Sequence, residues 1–134
     1  KVMETANTQN KIILELIRYN TQAHARYNNL PVEEVLALLK PGFVNWINID
    51  CLQKCDVIEK IQAHFKLHAL LIDDIMDDQR PKAEEYDDYL FVTLKMLYRI
   101  DGSGIDYEQI SFVLGTDYLI TFQEKEGDLF NAFR

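Results

Sequence analysis

Residues 11–19 (KIILELIRY) carry apolar side chains at both odd and even positions, with isoleucine prominent, and predict a strand. Residues 23–27 are placed as its short hairpin partner. Pro31 opens a helical pattern in which Val32, Val35, Leu36 and Leu39 recur at intervals of three and four, with Glu33 and Glu34 at the positive end of the dipole. Lys40-Pro41-Gly42 ends it. VNWINI (44–49) reads as a strand covered on both faces, with Trp46 as a core anchor. Asp56 and Glu59 form a capping-box pattern ahead of the apolar stripe Val57, Ile58, Ile61 and Phe65. A shorter helix is expected at Ala69–Met76, burying Leu71, Ile72, Ile75 and Met76.

After Pro81 the period changes to two. Leu90, Val92, Leu94, Met96, Tyr98 and Ile100 alternate with Thr93, Lys95 and Arg99 as one long strand. Asp101-Gly102-Ser103-Gly104 turns the chain, 105–114 returns antiparallel, and Gly115-Thr116-Asp117 leads into a last strand at 118–123. Gly127 and Asp128 open a terminal helix. Strand, helix, helix and then a meander predict the α/β class: a mixed, largely antiparallel sheet with helices on both faces, three-layer α/β/α, in one domain over residues 1–134.

The helix at Ala69–Met76 begins an acidic stretch. His68–Tyr89 holds eight carboxylates (Asp73, Asp74, Asp77, Asp78, Glu84, Glu85, Asp87, Asp88) against Arg80 and Lys82. At about 100° per residue, Asp73, Asp74 and Asp77 form one acidic arc opposite the apolar one. Asp73 with Asp77 and Asp74 with Asp78 are like-charge pairs at i,i+4, each costing a few tenths of a kcal/mol. Such repulsion is relieved by a cation or a basic partner, and carboxylate oxygens suit hard ions such as Mg²⁺ and Ca²⁺. The plainer reading is a solvated acidic face. His68, near the start of that helix, is expected to cap it or bond locally. Arg80 and Lys82 are expected to pair with Glu84, Glu85 or Asp87 and to set loop geometry.

Composition narrows the field. The chain has 134 residues, 48% hydrophobic and 27% charged, which is ordinary for one globular domain. A net charge of −8 disfavours nucleic acid and anionic membrane surfaces as partners. No run is long enough for a membrane span, and no charged-then-apolar stretch is expected to act as a signal peptide. Cys51, Cys55, His64 and His68 read C-x₃-C-x₈-H-x₃-H, a gap shorter than that of a zinc finger, so two reduced thiols are the alternative to a zinc site. Neither a nucleophile elbow around Ser103 or Ser111 nor a Gly-rich phosphate loop occurs, which leaves a phosphotransferase built on Asp73 and Asp74 without its phosphate cradle.

Several motifs stand in a fixed order: VNWINI (44–49), DVIEKIQAHFKLHALLIDDI (56–75), QRPKAEEYDDYLFVTLKML (79–97), EQISFVLG (108–115) and YLITFQEKEGDLF (118–130). With its QRPK box after a His-x-x-x-x-acid-acid helix, the chain resembles the cytoplasmic N-terminal domain of CorA-type magnesium transport proteins. The resemblance implies a homopentameric Mg²⁺/Co²⁺ channel at the inner membrane, whose cytoplasmic domain senses Mg²⁺ bound between subunits and so keeps the pore closed. It implies that the partners are the chain's own stalk helix and the neighbouring subunit. It also implies that this is a fragment, with the membrane helices and their Gly-Met-Asn pore motif beyond residue 134. The family's sensor carboxylates fall on Asp74 and Asp73, with partner acids in the stalk, so regulatory Mg²⁺ should bind this chain alone only weakly. Ala69 and Asp73 depart from the Pro and Glu common in the family, and the shorter Asp73 reaches less far than Glu. A related branch handles Zn²⁺, which leaves the ion open. The competing reading is an acidic protein-interaction domain without metal.

Overall fold

Strand β1 (Ile13–Tyr19) is flanked by β2 (His24–Asn28) and β3 (Val44–Asp50), both antiparallel to it. Leu14 and Leu16 pair with Ile49 and Ile47, and all four are buried. The structure, a computed structural model, describes residues 13–50, 56–77, 80–100, 102 and 104–123. Helix α1 (Val32–Leu38) connects β2 to β3, and α2 (Asp56–Phe65) and α3 (Ala69–Met76) follow β3. β4 (Lys82–Glu85), β5 (Leu90–Ile100), β6 (Gly104–Leu114) and β7 (Tyr118–Gln123) form an antiparallel meander whose last strand lies parallel to β3. The strand order is β2-β1-β3-β7-β6-β5-β4. This is the mixed, largely antiparallel sheet and the α/β class that the alternation predicts.

All three helices bury their apolar sides against one face. The register puts Ile47, Ile49, Ile120, Phe122, Val113 and Phe91 on that face, and they share a core with Val35, Ile58, Ile61, Leu71 and Ile72. The terminal helix expected from Gly127 lies outside the described residues, and among these the opposite face carries no helix. That face holds a polar row instead: the Trp46 indole Nε1 donates to Thr121 Oγ1 (3.0 Å), which donates to Asn48 Oδ1 (2.7 Å). Trp46 is therefore not an anchor of the helix-side core. Ile47 and Ile49 take the helix-facing phase of β3, and a residue one step out of phase must face the other way.

Two local expectations also change. Asp56 is the first residue of α2 and shares its first turn with Glu59; it does not cap the helix from outside. β4 is unpredicted by its sequence, KAEE, which has little β propensity. It forms because its residues pair antiparallel with Leu90–Thr93 across a turn closed by Tyr86 N donating to Tyr89 O (2.9 Å). Pro81 just ahead of it is tolerated because β4 is an edge strand.

Asn45 joins the two halves of the sheet. Its Oδ1 accepts from Lys40 N (3.1 Å), and its Nδ2 lies 3.3 Å from the carbonyls of Lys40 and Phe43 and 3.2 Å from that of Asp117. The loop before β3 is thus fixed to the turn before β7. Because Asn45 is buried, Asn45→Ala strands these groups and should lower stability by about 2 kcal/mol, read as a lower urea midpoint at unchanged slope. Asn45→Asp should be no better, since a carboxylate offers no donor to three carbonyls.

Tyr118, at the start of β7, packs on Phe65 of α2 with ring centroids 4.4 Å apart, and its ring approaches Gly115 so closely that a Cβ there would lie 2.1 Å from it. Burial first, then the charges of Tyr89, Asp88 and Asp117, push its hydroxyl up to about 12. A raised folded pKa means that the native state holds the proton more tightly than the unfolded chain, where tyrosine titrates near 10. The contribution is complete below pH ~10 and is lost as pH rises through ~12. Stability of Tyr118→Phe should therefore fall less steeply than wild type between those values, as measured by urea midpoints; equal slopes would show that this hydroxyl does not contribute.

Candidate acidic site at the end of α3

Helix α3 is held at both ends by the sheet. At its start His68 is the N-cap, with Nδ1 accepting from Leu70 N (3.1 Å). The His68 backbone N–H donates to the Tyr89 hydroxyl (2.9 Å), and the His68 ring lies over Tyr86 (5.9 Å), which stacks on Tyr89 (4.8 Å). The turn between β4 and β5 thereby grips the helix start. At the other end Gln109 of β6, itself buried, donates from Nε2 to the carbonyls of Asp77 (2.8 Å) and Asp74 (3.3 Å). These carbonyls belong to the last turn and lack intrahelical partners.

This frame separates the acidic residues. Asp74 is turned to the sheet edge, where Oδ2 meets Lys82 Nζ at 2.6 Å and the side chain is 22% exposed. Strand alternation puts Lys82 and Glu84 on the same, helix-bearing side of β4, and Glu84 Oε1 lies 3.3 Å from the same ammonium. The hydrogen bond that the Lys82 ammonium donates to Asp74 chiefly, helped by the one it donates to Glu84, raises its pKa above the usual lysine range despite some desolvation. Asp73 is exposed, and among the described residues its side chain makes no ion pair. Asp77 is the extended C-cap, so the helix ends before Asp73 and Asp77 form a helical i,i+4 pair. Asp78 lies outside the described residues.

The structure therefore brings Asp74, Lys82 and Glu84 together and leaves Asp73 apart. Lys82 does pair with Glu84 as expected, but its shorter contact is with Asp74, and it belongs to a strand and not to a loop. Lys82, Gln109 and Tyr89 escape sequence reasoning as parts of the site. A signal existed for two of them. Lys82 and Glu84 alternate on one face, and Gln109 occupies the helix-facing phase of a strand whose later members, Ser111 and Val113, are buried. Among the described residues no set of three or more His, Cys, Asp or Glu side chains converges as a metal centre. Cys51 and Cys55 of the zinc pattern lie outside them. Ser111 is buried and donates to Thr93 Oγ1 (3.4 Å).

A family model described as CorA-like Mg²⁺ transporter protein matches residues 41–134. The cobalt/magnesium transport protein CorA of Thermotoga maritima is 32% identical over 123 residues, covering 90% of this chain and 35% of that protein. The chain thus spans about a third of the length of this relative. Among solved structures, the cytoplasmic domain of ZntB from Vibrio parahaemolyticus superposes with a TM-score of 0.63 at 14% identity, covering 87% of this chain and 45% of that one. The soluble domain of CorA from Methanocaldococcus jannaschii gives 0.56 at 13% identity, over 83% and 41%. Structures this distant in sequence establish the fold alone. The family match covers most of the chain, including α2, α3 and all of β4 to β7, and on that ground the protein belongs to the CorA-like Mg²⁺ transporter family.

Proposed function

We propose that this chain is a single regulatory domain, residues 1–134, that senses divalent cations for a CorA-like Mg²⁺/Co²⁺ channel at the cytoplasmic face of the inner membrane. In this reading it is not an enzyme. The whole protein is a homopentamer, and Mg²⁺ held between subunits favours the closed pore. Asp74 supplies the principal carboxylate and Asp73 a second, exposed one, facing acids from the neighbouring subunit's stalk helix. No helix among the described residues is long and apolar enough to cross a membrane.

The placement of Asp74 carries the reading. Its carboxylate stands at the end of a helix fixed at both ends, and it already holds a cation in common with Glu84. Hard oxygen donors, few in number and open to water, fit Mg²⁺, which keeps most of its hydration and takes one or two carboxylates. When bound, the ion would supply charge neutralisation between subunits. Without it, two facing carboxylates repel by roughly 1 to 4 kcal/mol, depending on local dielectric. Binding that reverses this sign at several symmetric interfaces biases a two-state pore.

In the full-length protein, Asp74→Asn should raise the Mg²⁺ concentration that gives half-maximal protection from proteolysis by about tenfold or more, because a charge-assisted contact is lost. The exposed Glu85 of β4 is the control: Glu85→Gln makes the same charge change and should leave protection as in wild type. Unchanged protection in Asp74→Asn contradicts the assignment. An equal loss in both variants means that bulk acidity is at work, and an acidic interaction domain becomes the better reading.

A further inference from the structure

β4 is four residues long, yet it carries a cation and an anion on the side that faces α3. The Lys82 ammonium lies 2.6 Å from Asp74 Oδ2 and 3.3 Å from Glu84 Oε1. Asp74 is thus already neutralised, and a divalent ion approaching it meets an occupied carboxylate. The lysine is also free to leave. Its side chain is 33% exposed, and Glu84 remains beside it as a second partner, so departure from Asp74 need not strand an ammonium.

We propose that Lys82 is a built-in competitor of the divalent cation at Asp74, occupying that carboxylate in the ion-free state and thereby setting the concentration at which the ion takes the site. The proposal rests on Asp74 being a ligand. Two consequences follow from charge and geometry. Removing the ammonium while keeping the stem exposes Asp74 and tightens divalent binding. Keeping the cation as a guanidinium does not. Competition between a partly exposed ion pair and a hydrated ion is modest, and the expected change is about two- to fivefold.

The test uses the full-length protein, with Mn²⁺ as the probe read by the spin-resonance signal of the free ion, and Mg²⁺ protection from proteolysis as a second readout. Lys82→Met should lower the half-saturating concentration of both ions about two- to fivefold, while Lys82→Arg stays at or above wild type. Lys40→Gln, which removes an exposed cation from the loop between α1 and β3, should have no such effect. Thermal melting in chelator checks that each variant folds, and Lys82→Gln carries the test if the Met variant does not. Unchanged or weaker binding in Lys82→Met overturns the proposal, and if Asp74→Asn still weakens binding by about tenfold or more, Asp74 remains the ligand. Equal tightening in Lys40→Gln overturns it in favour of bulk charge. Wild-type binding in Asp74→Asn overturns the sensing reading and the proposal with it.

Discussion

The parallel pairing of β3 with β7 is the contact on which the rest of the molecule depends. Among the described residues every other strand pair is antiparallel, and all but β1–β3 join strands consecutive along the chain. Only β3–β7 unites the first half of the sheet with the meander. Parallel strands cannot be joined by a tight turn, so a long crossover is obligatory. Here it contains α2, α3 and the three strands β4 to β6. Asn45 secures the pairing where it starts, by holding the loop before one strand to the turn before the other.

That crossover explains the position of the acidic helix. An eight-residue helix is not stable by itself in water. α3 is stabilised by burying Leu71, Ile72 and Ile75 and by bonds that satisfy its two ends from β6 and the β4–β5 turn. Because those bonds come from the sheet, Asp74 is fixed relative to it, and the pair with Lys82 follows from the meander's register. The burial that stabilises the helix and the exposure that makes Asp73 accessible are opposite faces of one amphipathic turn.

Much of this was legible in the sequence. Helix α3 and strands β5 and β7 fall where the spacing of Leu71, Ile72 and Ile75, the alternation from Leu90 and the turn at Gly115 place them. Strand β3 was legible in extent but not in phase: apolar residues at Trp46, Ile47 and Ile49 leave its facing undecided until the helices choose a side. Strand β4 was illegible, because Lys82–Glu85 is a strand only through its pairing with β5. Partnerships across the sheet were beyond reach for the same reason. Nothing in the chain order links Gln109 to Asp77, or Asn45 to Asp117. At the site, His68 as a capping residue was foreseen. The separation of Asp74 from Asp73 was not, because a helical wheel gives angles about its axis and says nothing of the neighbour that each angle meets.

The central claim is that Asp74, presented by a helix clamped at both ends, is the chain's contribution to a divalent site shared between subunits. Anomalous diffraction from crystals of the full-length protein grown with Co²⁺ tests it directly. The account predicts an anomalous peak beside the Asp74 carboxylate at a subunit boundary, with Lys82 turned away from Asp74 toward Glu84. Ordered Co²⁺ elsewhere in the protein, with the Asp74–Lys82 pair intact and no peak at α3, would contradict it.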